Sequence, residues 1–368
     1  MSMGEEDDYY NSSDTYYDLP GEDYSVLVED EPSALDSEAV RRLLVALYSL
    51  VCVLGLLGNG LVVVLAGCRL KRTVSTVWFL HLAAADLLLN AFLPLYAAYA
   101  ALGFHWPFGT ALCKLSSFLL TCNMYTSVLL LSAISGDRCV SVLLPVWVQN
   151  HRSPRRTHAA CTAIWALAAL LSVPSLVFRD TRQLSGGQVA CFNNFSLLSP
   201  GPAVAAASSG WHVGVTVTRF LCGFLVPGLV IAGCYFIIIC RLQRHRLSRN
   251  RKPFRIMAAL VVAFFLCWCP YHILFLLELR PHTWPPAVFR LGLPLATALA
   301  ITNSCLNPIL YVFMGQDFKK FKVTLFSRLA SALSEDTGHG SFPSNRSFTK
   351  VSSVNDKSPV SEKETAML

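Results

Sequence analysis

LVALYSLVCVLGLLGNGLVVVLAGC, residues 44–68, decides the fold of this chain: it contains no Asp, Glu, Lys, Arg or His. About 20 apolar residues in a helix cross the hydrocarbon core of a bilayer. A helix of a soluble bundle keeps a polar face, whereas this stretch is apolar all round. It reads as a membrane span.

The same reading extended along the chain gives seven spans: 42–68, 76–102, 111–143, 158–178, 212–240, 256–279 and 288–313. With 54% hydrophobic and 14% charged residues over 368 positions, the chain is too apolar for an ordinary soluble domain. The expected fold is an all-α membrane protein, a seven-helix bundle over 42–316 with a short amphipathic helix after the last span. That helix, 317–329, sets Phe318, Phe321, Leu325 and Phe326 among Lys319, Lys320 and Lys322, the pattern of a helix lying on a membrane surface. An acidic disordered segment, 1–41, precedes the bundle, and a disordered Ser/Thr-rich tail, 330–368, follows it.

Loop charge sets the expected orientation. Residues 1–40 hold no Lys or Arg, whereas the loops on the other side carry Arg69, Lys71 and Arg72, then Arg152, Arg155 and Arg156, then Arg244, Arg246, Arg249, Arg251 and Lys252. The positive-inside rule puts the N-terminus outside and the C-terminus in the cytoplasm, at the plasma membrane. Met1–Tyr10 is acidic and polar, so no cleavable signal peptide is expected. The net charge of +7 belongs to the basic inner rim beside anionic lipid, not to nucleic-acid binding.

Most of the 13 cysteines are scattered through the spans as packing residues. Cys113 and Cys191 both fall on the oxidising side, and a disulfide between them is expected. No zinc spacing, phosphate-binding glycine loop or nucleophile elbow is present, so enzyme chemistry is not expected. Asn11 and Asn194 head outward-facing glycosylation sequons. Tyr9, Tyr10, Tyr16, Tyr17 and Tyr24 lie among acids, a context suited to sulfation and to steering a basic protein ligand.

Charges inside spans are few, and each costs several kcal/mol, ~2.5–3.5 on insertion scales. Asp86 sits in LAAADL. With Asn59, Asn123, Ser127, Asn303, Ser304 and Asn307 it offers one carboxylate and several neutral oxygens from different spans. Each polar group alone serves as helix-to-helix glue; together they suit a small hard cation such as Na⁺. Asp137-Arg138-Cys139 closes the third span at its inner end. The neighbouring acid and base are expected to pair with one another, or the Arg to snorkel to the headgroups. Pro270 in FFLCWCPY and Pro308 in NPILY each remove a backbone donor and predict kinks.

Arg219 interrupts the fifth span about two turns before Pro227, and Arg179 ends the fourth. Arginine forks onto carboxylates, so an anionic ligand terminus is expected at Arg219, with Glu278 tuning the site and Ser117 and Thr121 completing the contact set. The structural alternatives are an Arg219–Glu278 pair and an Arg179–Asp180 pair.

Asn59 in GNGLV, Asp86, Asp137-Arg138-Cys139, Trp165, Pro227, Cys267-Trp268-Cys269-Pro270 and Asn307-Pro308-Ile309-Leu310-Tyr311 fall one motif per span, in order. The set resembles the rhodopsin-like G-protein-coupled receptors across 42–328. The resemblance implies a bundle that opens at its inner end, where Asp137, Arg138, Tyr235 and Tyr311 rearrange for a G protein. It also implies that Phe264 and Trp268 relay ligand contact and that Asp86, Asn123, Ser127, Asn303 and Asn307 line an allosteric sodium site. Cys139 departs from the family's usual aromatic, which bears on basal activity. Retinal is excluded because no Lys lies between Pro285 and Met314. An amine ligand is disfavoured because Cys113–Tyr125 holds no acid, Leu120 standing where aminergic members carry Asp.

SVLLPVWVQNHRS, PSLVFRDT, CFNNFSL, VTVTRFLCGFLVP, LGLPLATALAI and NPILYVFMGQDFKKFKVTLFSRL carry a closer resemblance, to the branch of the family that binds chemerin. It implies chemerin, a secreted protein whose proteolytically exposed C-terminal peptide enters the bundle, as ligand. It further implies inhibitory G proteins, leukocyte chemotaxis, inflammation and adipose biology. Arrestin is expected at a tail phosphorylated on Ser334, Thr337, Ser344, Ser347, Thr349 and Ser352. Anaphylatoxin, formyl-peptide and chemokine receptors are near relatives; residues 1–40 lack the Cys of typical chemokine receptors. Competing readings are a related peptide receptor, a decoy that binds chemerin with weak G-protein output, and a transporter. The last is disfavoured by the lack of an internal repeat.

Overall fold

The computed structural model describes residues 34–69, 71–198, 204–244 and 252–314. Asn11, the N-terminal tyrosines, the 317–329 segment and the tail serines and threonines lie outside the described residues, as does the side chain of Tyr311. Among the described residues, six helical stretches are long and apolar enough to cross a membrane: Glu38–Arg69, Val74–Ala101, Gly109–Leu143, Pro154–Phe178, Ser209–Arg241 and Pro286–Pro308. A shorter apolar stretch, Val261–Leu277, stands in the sequence position of the sixth span.

Helix α1 is Ala34–Val64 and widens into a π-helical turn, Leu65–Arg69. It begins eight residues before the boundary expected at 42. From the added turns Glu38 pairs with Arg42 at 2.6 Å across one helical turn, an exposed contact of little energetic weight.

The second span is two helices, α2 (Val74–Asn90) and α3 (Leu93–Ala101). A capping box starts α2: the Thr73 hydroxyl accepts from the Thr76 N–H at 3.2 Å, and the Thr76 hydroxyl accepts from the Thr73 N–H at 2.7 Å. Pro94 in AFLPLY causes the break, because it cannot donate to the carbonyl of Asn90. The Cys52 thiol takes up that freed oxygen at 3.6 Å.

Helix α4 (Gly109–Leu143) is the axis of the bundle, buried on every side through Leu119–Val128. It packs on α2, on α6 (Pro154–Phe178), on α8 (Val226–Arg244) and on α9 (Lys252–Leu277). A short α5 (Pro145–His151) links α4 to α6. The fifth span is α7 (Val204–Phe220), a π-helical segment Leu221–Leu225 and then α8. Pro227 lacks the N–H that would bond Gly223, and the ladder loosens to π spacing just before it. Gly223 also lies where a Cβ would come within 2.7 Å of Met124 Cε on α4. Helix α10 (Pro286–Met314) packs on α9 and α1.

Outward faces are apolar, with Leu57, Leu170, Leu229 and Leu266 each about two-thirds exposed on four different helices. Water would penalise that surface, whereas lipid does not.

At one end, β1 (Arg179–Gln183) and β2 (Val189–Asn193) form an antiparallel hairpin, with Thr181 opposite Cys191. Its turn uses Gly186 and Gly187 at φ 78° and 79°, a region that penalises any residue with a Cβ. The expected Cys113–Cys191 disulfide is formed and ties the hairpin to the start of α4. Lys114 braces the same corner, donating to the Leu176 and Val177 carbonyls at 2.9 and 3.3 Å, which are among the last of α6. This is the hairpin end; the opposite, basic end carries Arg69, Arg72, Arg152 and Arg156.

Candidate ligand pocket and polar core

Towards the hairpin end, Arg219 projects from α7 to α9. Its Nη1 donates to the Tyr271 hydroxyl at 3.2 Å, and its guanidinium lies 5.6 Å from the centre of the Phe275 ring. The alternative Arg219–Glu278 ion pair is not formed. Glu278, one residue beyond α9, instead lies within electrostatic reach of both Arg219 and Arg179. Arg179 donates from Nη1 to Asn193 Oδ1 at 3.2 Å, while its buried Nε has no partner. The alternative Arg179–Asp180 pair is absent too, because Asp180 is spent elsewhere. Its carboxylate accepts from the Thr181 N–H at 2.8 Å and from Asn194 Nδ2 at 3.2 Å. Two arginines and one carboxylate thus converge with unspent guanidinium donors, an arrangement that favours an anion.

The remaining sequence candidates divide. Ser117 is half-buried on α4. Thr121 is buried and turned to α6, its hydroxyl 3.0 Å from that of Ser175, so it holds two helices together. The sequon side chain of Asn194 is engaged at both ends, since Oδ1 accepts from the Ser196 hydroxyl at 2.6 Å.

Below Arg219 the contacts run inward without a gap. The Tyr271 ring meets Trp268 edge-on at 5.4 Å, and Trp268 lies 5.9 Å from Phe264. Both Trp268 and Phe264 are buried. Sequence reasoning named these last two but missed Tyr271, Phe275 and His272. The signal was present, for Trp268, Tyr271 and Phe275 fall at i, i+3 and i+7 on one helical face. His272 is buried among Phe220, Phe224, Trp268 and Tyr271, with its Nε2 unpartnered.

Deeper, Asp86 is fully buried and accepts from Asn123 Nδ2 at 2.9 Å and from Asn307 Nδ2 at 2.6 Å. Three spans therefore meet at one carboxylate, the convergence that spacing alone left open. The network continues through Asn90, whose Nδ2 donates to the Asp86 carbonyl at 2.7 Å and whose Oδ1 accepts from the Ser304 hydroxyl at 3.0 Å. Asn59 joins from α1 by donating to the Ser304 carbonyl at 2.9 Å. Ser127 Oγ, Asn303 Oδ1 and Asn59 Oδ1 are buried oxygens without a partner. Ser127 and Asn303 each stand one helical turn from a residue that binds Asp86. A carboxylate beside unpaired neutral oxygens is the donor set a small hard cation takes, so these residues fit sodium.

The basic end corrects one expectation. Asp137 and Arg138 do not pair with each other. Arg152 forks onto Asp137 instead, Nε to Oδ1 at 2.8 Å and Nη2 to Oδ2 at 2.7 Å. Arg138 turns the other way and donates to the Ser75 hydroxyl at 2.9 Å. Consecutive helical residues point about 100° apart, which separates the two. Cys139 is buried in α4, and Tyr235 on α8 lies within electrostatic reach of Arg138. Pro270 and Pro308 both lie inside helices, as do Pro174 and Pro294.

The family model described as 7 transmembrane receptor (rhodopsin family) matches residues 58–311. The chain belongs to the rhodopsin family of seven-transmembrane receptors. It is thus a receptor and not an enzyme, and a multi-pass protein of the plasma membrane. Chemerin-like receptor 1 from Bos taurus is 62% identical over 366 residues, covering 98% of this chain and 99% of the relative. The Homo sapiens Chemerin-like receptor 1 is 58% identical over 356 residues, covering 93% and 94%. Prostaglandin D2 receptor 2 from Mus musculus is 43% identical over 296 residues, covering 80% and 78%. The closer resemblance carried by the quoted stretches thus holds along nearly the whole receptor.

Proposed function

We propose that this receptor responds to chemerin, whose C-terminal peptide enters at the hairpin end and sets its carboxylate on Arg219, with Arg179 and Glu278 shaping the entrance. It signals through inhibitory heterotrimeric G proteins and arrestin, in chemotaxis, inflammation and adipose biology. The observation that carries this reading is the unbroken contact from Arg219 through Tyr271 and Trp268 to Phe264. An anion that pulls on the guanidinium loads the aromatic stack of α9 beside Pro270. On this reading the hairpin end and the N-terminus face outward, and the arginines of the basic end face the cytoplasm.

At that inner end, the resting state is held by Arg138 on Ser75 while Arg152 keeps Asp137 occupied. Removing one charge-assisted hydrogen bond is worth about 1.5 kcal/mol, roughly tenfold in the resting-to-active ratio. Ser75→Ala is therefore expected to raise agonist-independent G-protein activation severalfold at equal surface expression. An unchanged basal signal in a nucleotide-exchange assay would remove Ser75 from the switch.

Sodium in the Asp86 site would favour the resting state. Asp86→Asn keeps the shape and removes the charge. The expected result is that peptide affinity in this variant no longer falls as Na⁺ replaces a bulky organic cation, as it does in the unaltered receptor. Retention of the sodium effect would place the ion elsewhere.

Chemerin-evoked inhibition of cAMP, abolished by pertussis toxin, tests the function as a whole. A decoy with weak G-protein output is the second reading, favoured by Cys139 and by the anchoring of Arg138 away from its neighbouring acid. Binding without cAMP inhibition would select the decoy, and no binding would point to a related peptide ligand.

A further inference from the structure

At the basic end, α1, α2 and α6 leave a cavity of about 100 Å³, with Gly67, Arg72, Thr76, Val77, Leu80 and His158 in its lining. Its origin is local. The last turn of α1 is the widened π-helical segment Leu65–Arg69, and Gly67 within it has no side chain. The nearest atom to where its Cβ would stand is Leu80 Cδ1, at 3.9 Å. One wall is apolar, through Val77 and Leu80. The polar lining is Arg72, which is exposed at the mouth, the Thr76 hydroxyl and the His158 ring, with no carboxylate. Thr76 already donates to the Lys71 and Thr73 carbonyls at 3.1 and 2.8 Å, so Arg72 and His158 are the groups left to act on a ligand.

His158 is oriented. Its Nδ1 lies 3.1 Å from Nε2 of His81 on α2, and the rings meet edge-on at 5.2 Å. With one proton in that bond, the arrangement in which His81 donates leaves His158 carrying its own proton on Nε2. The imidazole then offers the cavity a donor, as paired histidines do when a second group fixes the tautomer.

A guanidinium and, where His81 donates, an imidazole N–H above an apolar wall, between spans and at the level of the basic loops, suit a phosphate ester with a hydrocarbon tail. We propose that this cavity binds the phosphate of an anionic phospholipid from the leaflet at the basic end, with Arg72 and His158 as its ligands and His81 as the positioning residue. The inference rests on the membrane reading and not on the identity of the peptide ligand.

The full-length receptor in nanodiscs of mixed phosphatidylcholine and phosphatidylinositol tests it, with retained lipid counted by native mass spectrometry after ejection. The unaltered receptor should retain phosphatidylinositol preferentially. In Arg72→Gln/His158→Leu that retention should fall about tenfold, the scale of losing a charged hydrogen bond. Arg155→Gln/Arg156→Gln, which removes neighbouring exposed charge outside the cavity, should change it little. His81→Leu should lower retention and His81→Gln, which keeps a donor nitrogen, should restore it. Undiminished agonist-peptide binding shows that each variant is folded, and Arg72→Gln alone, at an exposed loop position, serves if the double variant is not. Equal retention in the cavity variants and the unaltered receptor would overturn the proposal. So would stabilisation of the detergent-solubilised receptor by inorganic phosphate together with equal lipid retention, because the site would then serve a free anion.

Discussion

Arg219→Ala is expected to lower the potency of the agonist peptide at least about 30-fold at normal surface expression, because it deletes a partly buried charged partner worth about 2–5 kcal/mol. Arg219 is half-buried, donates to Tyr271 and covers the Phe275 ring, so the variant loses a ligand contact and the head of the α9 aromatic stack together. Arg219→Lys keeps the charge but not the fork, and falls between the two. Tyr271→Phe separates the roles, since it leaves the cation in place and removes only its hydrogen bond to α9. Peptide binding in Tyr271→Phe should survive better than signalling. Concentration–response curves for binding and for cAMP inhibition measure both. Full potency in Arg219→Ala at normal surface expression would end the assignment.

The second large effect lies in the polar core. A methyl group at Gly55 would overlap the amide of Asn90, which holds the Asp86 carbonyl and the Ser304 hydroxyl. Gly55→Ala must therefore displace a buried amide that serves two spans. Overpacking costs about 1–3 kcal/mol, and each buried group left unpaired adds about as much. The sum is a sizeable share of the roughly 5–15 kcal/mol that ordinarily holds a protein folded. Gly55→Ala is expected to cut surface expression severely and to lower the melting temperature of the solubilised receptor. Gly60→Ala, with nothing within 4 Å of its would-be Cβ, should be neutral. Gly55→Ala/Asn90→Ala should recover part of the loss, because the overlap is relieved.

These sites differ in how far the sequence disclosed them. Asp86, Asn123 and Asn307 stood out because a polar group in an apolar helix needs a partner, and three such groups on three spans have few places to find one. Asn90 did not stand out. Its role depends on the clearance left by Gly55 on another helix, which no local pattern records. The Asp137–Arg138 pair was misjudged by reading adjacency in sequence as adjacency in space, although neighbours on a helix diverge. Their partners, Arg152 and Ser75, come from a loop and from the first turn of α2, so only the packed bundle reveals them. Pro94 carried the signal for the break in the second span openly, whereas Pro270 and Pro308 stand inside helices that run on through them. The pairing alternatives for Arg219 and Arg179 turned on which way long side chains swing between helices. That is set by aromatic packing on α9 and by the hairpin register, and both are tertiary facts.

The most direct test of the account is a double-mutant cycle that crosses Arg219→Ala with amidation of the C-terminus of the chemerin peptide. Amidation removes the carboxylate charge and keeps the rest of the ligand. The account predicts a strong loss of potency on amidation in the unaltered receptor and almost none in Arg219→Ala, a coupling of about 2 kcal/mol or more between the two groups. Equal losses in both receptors, with zero coupling, would contradict it, because the carboxylate would then be bound elsewhere.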